Sequence, residues 1–216
     1  MNKFTSHERE YEIDKYGVIN QTDYKPYKYD ENYVSTYDTD DYRRKSDLLQ
    51  ALRLGFTLSA HGSRIETLLD YGYGNGAFMK FAKQIIPTII GYDLTGVKVD
   101  DCHVLPHLVN VQVVTFWDAL EHVPDISGLI QKLNCETIVI SLPLCHFFTH
   151  GKDWFDNNYK HRKPDEHVHH FNEYSLRNFM SSVGWYDVAV SGHEDIVRTS
   201  AHGLQNILTM AFKKNK

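Results

Sequence analysis

An apolar run, Ile65 to Leu69, feeds directly into Asp70-Tyr71-Gly72-Tyr73-Gly74-Asn75-Gly76, and the next apolar run, Thr88 to Tyr92, stops at Asp93. Few features constrain a fold more tightly. Three glycines spaced by single residues let a backbone leaving a buried strand turn sharply and come close to a ligand. Asp93 lies 17 residues beyond Gly76, where a carboxylate at the tip of the second strand accepts both hydroxyls of a ribose. The pairing predicts an α/β domain with a nucleoside cofactor held over the strand ends.

The chain of 216 residues, 42% apolar, is long enough for one domain with a sizeable core and an elaboration, and too short for two ordinary domains. Cys102, Cys135 and Cys145 are widely spaced, which fits packing residues in a reducing compartment better than a disulfide framework. No run approaches the roughly 20 apolar residues of a bilayer crossing, and the polar start is unlike a signal peptide, so the expected location is the cytoplasm and no membrane partner is expected. The net charge of -5 resides in residues 1–42, which hold 5 basic and 10 acidic side chains; residues 43–216 hold 18 of each. Neither part offers the basic field that nucleic acid requires. The short basic stretch Lys160 to Lys163 reads as a solvated loop.

Residues 1–42 also carry 8 of the 14 tyrosines and almost no aliphatic periodicity. They read as an acidic arm or lid outside the core, with residues 43–216 forming the main domain. Leu48, Leu49, Leu52 and Phe56 recur at helical spacing from Asp41 to about Ala60, and Arg53 or Arg43 could reach a cofactor carboxylate. A helix from Ala77 to about Ile86, with Phe78, Phe81, Ala82 and Ile85 inward, ends at Pro87. Strands are expected at Val111 to Phe116 and Thr137 to Leu142, and a helix capped by Asn172 runs through Val183. Tyr186 to Ser191 and Leu204 to Phe212 are close enough to form an antiparallel pair.

The glycine loop also satisfies a dinucleotide pattern, with Gly72, Gly74 and Ala77 as G-x-G-x-x-A. Four motifs in order favour another cofactor. Asp70, Gly72, Gly74 and Gly76 resemble motif I of the class I S-adenosylmethionine-dependent methyltransferases. Phe116 to Asp125, containing Leu120-Glu121-His122-Val123, looks like the segment after strand four in their ubiquinone-biosynthesis-like branch. Both His167-Val168-His169-His170-Phe171 and the following helix ending at Gly184-Trp185 are similar to that branch as well. The resemblance spans residues 65–213. It implies a Rossmann-like, mostly parallel seven-stranded sheet with an antiparallel last strand and helices on both faces, extended by the tyrosine-rich amino-terminal segment. The implied cofactor is S-adenosylmethionine, leaving as S-adenosylhomocysteine and held by Asp70, Gly72, Tyr73, Gly74, Gly76, Asp93, Leu94 and Trp117. Adenine-reading residues after strand three are represented only by Asp100 and Asp101.

Methyl transfer from a sulfonium is an in-line displacement that asks mainly for alignment; a base is needed where the acceptor carries a proton that must leave. Six of the 13 histidines lie between His146 and His170, where the branch builds its acceptor site. His167, His169 and His170, with His122, are the candidate bases for O-methylation of a small molecule or saccharide. Relatives in ubiquinone biosynthesis hold a divalent metal with Glu-x-x-Glu-His; here Asp118 replaces the first glutamate. A helical turn would put Asp118, Glu121 and His122 on one face, yet the preferred reading assigns no metal ligand. N-methylation, a protein acceptor and a catalytically idle cofactor-binding fold are the alternatives, and the oligomeric state is left open.

Overall fold

The computed structural model describes residues 2–29, 40–96, 98–99, 102–198 and 203–215. Three short strands come first: β1 (Asn2–Ser6), β2 (Arg9–Ile13) and β3 (Ile19–Gln21). Helix α1 (Asp40–His61) leads into β4 (Thr67–Tyr71), α2 (Ala77–Ala82), β5 (Thr88–Tyr92), the two-residue β6 (His103–Val104) and β7 (Val113–Trp117). Then follow α3 (Ile126–Lys132), β8 (Thr137–Pro143), α4 (Phe147–Asn157), β9 (His169–His170), α5 (Glu173–Ser182), β10 (Trp185–Ser191) and β11 (Ile207–Lys214).

Seven strands form the main sheet in the order β10-β11-β8-β7-β4-β5-β6. All run parallel except β11, which is antiparallel to both neighbours. The central strands read as continuous apolar runs because they are covered on both faces. Their alternation separates two cores. Leu69, Val114, Phe116, Ile138 and Ile140 face α3 and α5 residues such as Ile130, Leu176 and Met180. Leu68, Val113 and Val139 face Leu54 of α1 and Phe78, Met79 and Ala82 of α2. Asn172 caps α5 by accepting from the Ser175 amide, and Ser175 Oγ accepts from the Asn172 amide in return, a reciprocal capping box.

Residues 2–21 of the amino-terminal segment form strands, while residues 30–39 of the expected arm lie outside the described residues. Strands β1, β2 and β3 make an antiparallel meander that pairs with β9, Ile19 opposite His170 and Asn20 opposite His169. Tyr11 is buried against Phe4 and Phe155, with ring centroids 5.5 and 5.3 Å away. Strands of three to five residues are too short for hydrophobic alternation to register in sequence, and a distant partner, β9, completes the sheet.

Two helices also differ from expectation. In α1 the buried stripe is largely polar: Gln50, Arg53, Thr57 and His61 lie inward with Leu49 and Leu54, while Leu48 is exposed. Helix α2 stops at Ala82, and Ile85 points outward at 61% exposure while Ile86 is buried. None of the described helices is long and apolar enough to cross a membrane. Cys135 and Cys145 are buried, and burial pushes both thiols up to about 12, as inert packing requires.

Candidate active site

A cleft of about 870 Å³ opens at the carboxyl ends of β4, β5 and β7, bordered by the glycine loop, Asp93, Trp117, the segment from Asp118 to Asp125, and Lys160 to His167. The edge where the strand order reverses is where open α/β sheets bind their ligands.

Gly72 has φ of 74°, and a Cβ placed on it would lie 2.6 Å from Ala119 Cβ. Gly76, at φ 73°, would meet Val99 at 2.5 Å. Both positions therefore demand glycine on two counts, backbone hand and space. Asp93 fastens the loop: Oδ2 accepts from the Gly74 amide at 3.0 Å, while Oδ1 accepts from the Thr95 amide and hydroxyl at 2.8 and 2.7 Å. A carboxylate offers about four lone-pair sites, so capacity remains on the cleft side. Asp70 is buried beneath the loop and accepts from Thr115 Oγ1 at 2.8 Å. Burial raises its pKa to about 7, against the opposing hydrogen bond.

Tyr73, Leu94 and Trp117 also border the cleft; Leu94 is largely exposed, whereas Tyr73 and Trp117 are buried. The Trp117 indole N–H is buried without a protein partner, and the Arg53 guanidinium sits 4.9 Å from its ring centroid. Asp100 and Asp101, the sequence candidates for adenine recognition, lie outside the described residues, as does the side chain of Arg43.

Asp118 corrects the expectation of a shared face with Glu121 and His122. Its φ of 53° places it in the left-handed region, and the 3-10 turn spans only Leu120–His122. The carboxylate turns to two arginines. Arg198 donates to both Asp118 oxygens at 2.8 Å and Arg53 donates to Oδ2 at 3.0 Å. The same arginines clasp the fully buried Glu194, Arg53 at 3.0 and 3.2 Å and Arg198 at 2.9 Å, with Ser141 Oγ donating at 2.6 Å. Burial alone would raise both carboxyls, but the two guanidiniums hold them below the usual carboxylate range. Arg53 is thus committed to protein carboxylates. Sequence reading missed Glu194 and Arg198, since the ion pairs join segments up to 141 residues apart and no local spacing announces them.

The candidate histidines divide. His169 Nε2 donates to the Val123 carbonyl at 3.0 Å, and its Nδ1 lies 2.6 Å from the Asn20 side-chain amide. His170 is buried among Tyr11, Phe155 and Tyr159. Neither borders the cleft, and burial drives their pKa values down to about 4 and about 3, so both are structural. His122 and His167 do border it, their rings edge to face with centroids 4.6 Å apart. His122 Nδ1 donates to the Glu166 carbonyl at 2.8 Å and lies 2.9 Å from the Tyr29 hydroxyl. That bond selects the tautomer with the lone pair on Nε2. Burial lowers the pKa of both rings, His167 strongly.

The sequence matches the family described as "Methyltransferase domain" over residues 37–190. The chain belongs to the methyltransferase domain family. No curated protein matches it significantly. Solved structures of low identity share the methyltransferase fold. The Burkholderia thailandensis 1,6-didemethyltoxoflavin-N1-methyltransferase, with its acceptor and S-adenosylhomocysteine bound, is 13% identical, covers all of both chains and gives a TM-score of 0.57. The magnesium protoporphyrin IX methyltransferase of Synechocystis PCC 6803, with S-adenosylhomocysteine, is 12% identical over 81% of this chain and 86% of that one, TM-score 0.56. The geranyl diphosphate C-methyltransferase of Streptomyces coelicolor A3(2), with Mg2+, geranyl diphosphate and S-adenosyl-L-homocysteine, is 15% identical over 82% and 85%, TM-score 0.56. The methyltransferase fold is that of the S-adenosylmethionine-dependent class I enzymes.

Proposed function

We propose that this methyltransferase takes its methyl group from S-adenosylmethionine and delivers it to an oxygen of a small molecule, sugars included, with His122 as the base. The observation that carries the reading is the pairing across one cleft of an Asp93-fastened glycine loop with an imidazole whose Nδ1 proton is committed to the Glu166 carbonyl. The ribose would meet Asp93, and the cofactor's ammonium group would meet Asp70. Gly72, Tyr73, Gly74 and Gly76 would line its path, and Leu94 and Trp117 would flank it. The acceptor would occupy the half of the cleft bordered by Glu121, His122 and His167.

When bound, the sulfonium would supply an activated methyl group to the acceptor oxygen, with sulfur as the leaving atom. The hydroxyl proton passes to His122 Nε2. Alignment supplies most of the acceleration, since the sulfonium leaves without acid assistance. Tyr29, beside His122 at the cleft margin, supports a role for the end of the amino-terminal segment as a cover. The three solved neighbours include named N- and C-methyltransferases, so nitrogen is the second acceptor to try.

Calorimetric titration with S-adenosylhomocysteine tests the cofactor. Micromolar binding is expected, weakened by at least tenfold in Asp93→Ala; preference for NAD would overturn the reading. With an accepting hydroxyl compound found by screening, His122→Gln should lower kcat by about 10²–10⁴-fold, the usual worth of general-base catalysis, while S-adenosylhomocysteine affinity holds. Unchanged kcat would remove His122 from the role of base.

A further inference from the structure

The basic stretch that reads in sequence as a solvated loop lies along the cleft. Lys160, His161 and Lys163 all border it, and Arg198 joins them from near the end of the chain. These groups share the half that holds Glu121 and His167: Lys163 and Arg198 act electrostatically on Glu121, Lys163 and His161 on His167, and Lys160 and Arg198 on His161. The carboxylates that answer two of the cations stand outside the lining. Glu194 is fully buried behind Arg198 at 2.9 Å, and Glu166 accepts from Lys163 Nζ at 2.9 Å. Lys160 is exposed and forms no ion pair among the described residues.

Glu121 supplies the complement on the cleft wall. It is 2% exposed, and neither of its carboxyl oxygens has a hydrogen-bond partner; His167 Nδ1 is likewise buried and unpartnered. Folded proteins seldom leave such groups unmade, and both residues border a space that a ligand can fill. Burial, reinforced by the nearby Asp118, holds the Glu121 carboxyl well above the usual carboxylate range. A neutral carboxyl offers an O–H donor and does not repel a negative charge.

We propose that the methyl acceptor carries an anionic group, a carboxylate or a phosphate, received between Lys160, Lys163 and Glu121. Lys160 brings charge that no protein carboxylate answers, Lys163 an ammonium already oriented by Glu166, and Glu121 a donor from the wall. Hydrogen bonds to an anion are roughly twice as strong as those between neutral groups. The arrangement leaves His122 Nε2 to the reacting hydroxyl. It rests on the methyl-transfer reading of the cleft and names the class of its acceptor. A cationic acceptor is the opposite assignment, since an amine would draw a proton from Glu121 and be repelled by both lysines.

The test uses the full chain saturated with S-adenosylhomocysteine and titrated calorimetrically with benzoate, phenyl phosphate, benzyl alcohol and benzylamine, which share a ring and differ in charge. One of the two anions should bind at a single site about tenfold more tightly than benzyl alcohol, as a hydrogen bond to a charged group warrants. The tighter anion tells carboxylate from phosphate. Lys160→Ala and Lys163→Ala should each remove most of that preference, and the exposed Lys160 can be replaced without disturbing the fold. Glu121→Gln, whose amide still donates, should keep it. Lys80→Ala, at an exposed position on α2, should leave it unchanged. Absence of saturable anion binding overturns the inference, as does equal binding of anion and alcohol. A preference that survives both cleft-lysine variants, or that Lys80→Ala weakens equally, also overturns it by reducing the effect to bulk charge. Tighter binding of benzylamine overturns it too, and makes Glu121 an ionised partner for an amine. S-adenosylhomocysteine titration of the same chain separates the two readings: cofactor binding without an anion preference refutes only the acceptor class, and anion binding without cofactor binding refutes the methyl-transfer reading.

Discussion

At the scale of single residues, Asp70 and Asp93 show how position divides the work of two carboxylates. Asp93 is spent on backbone and hydroxyl donors that shape the glycine loop. Asp70 has one hydroxyl for company and a pKa of about 7, raised chiefly by burial. A raised carboxyl is held protonated more firmly in the folded chain than in the unfolded one. Its contribution to stability is therefore greatest below the unfolded pKa near 4 and declines as pH rises through about 7. Cofactor binding runs the other way, because an ammonium group is received only by the ionised form. S-adenosylhomocysteine affinity should rise about tenfold between pH 6 and pH 8 as Asp70 loses its proton. Asp70→Asn should flatten that profile, and a wild-type profile flat over this range would remove Asp70 from ammonium recognition.

At the scale of elements, helix α1 carries the clearest departure from a hydrophobicity argument. Its leucines suggested which face is inward, but the packed face holds Gln50, Arg53, Thr57 and His61. Arg53 and His61 answer to partners elsewhere in the chain, while Thr57 bonds within the helix. Arg53 neutralises Glu194 and Asp118. Thr57 Oγ1 donates to the Arg53 carbonyl at 2.8 Å, and His61 Nδ1 lies 2.8 Å from Thr137 Oγ1. Removing one partner of a buried pair leaves the other charge stranded, which costs about 3–5 kcal/mol. Arg53→Leu should therefore lose stability of that order in a urea titration, with part recovered by the double variant Arg53→Leu, Glu194→Gln. A loss under 1 kcal/mol would mean that Arg198 alone suffices for Glu194.

At the scale of the whole molecule, two sheets share one body. The small sheet draws three strands from the beginning of the sequence and β9 from the stretch just after His167. The meander therefore supports the segment that presents His167 to the cleft. Tyr11 fills the seam with Phe155 and Tyr159. Tyr11→Ala should cost about 3–5 kcal/mol, as large aromatic truncations do. Unfolding should remain a single transition with S-adenosylhomocysteine affinity little changed, because the glycine loop is built on the other sheet. Two separate transitions by circular dichroism and tryptophan fluorescence would mean that the meander is an independent attachment.

The sequence by itself determined the strands β4, β5, β7 and β8, the glycine loop and Asp93, the closing pair β10 and β11, and the capped helix α5. Each rests on local chemistry: continuous apolar runs, backbone angles open only to glycine, a side-chain cap three residues from its partner. It also named His122 and His167 as neighbours of the cleft, through motif resemblance and not through geometry. Tertiary structure alone decided the rest. It placed His169 and His170 in the support of the small sheet, turned Asp118 to two arginines, chose the polar face of α1, and made a meander of a segment read as an arm. These outcomes depend on pairings between residues far apart in sequence, such as Arg53 with Asp118 at 65 positions and Asn20 with His169 at 149, where chain connectivity imposes no spacing rule and only the balance of burial and hydrogen bonding selects the partner.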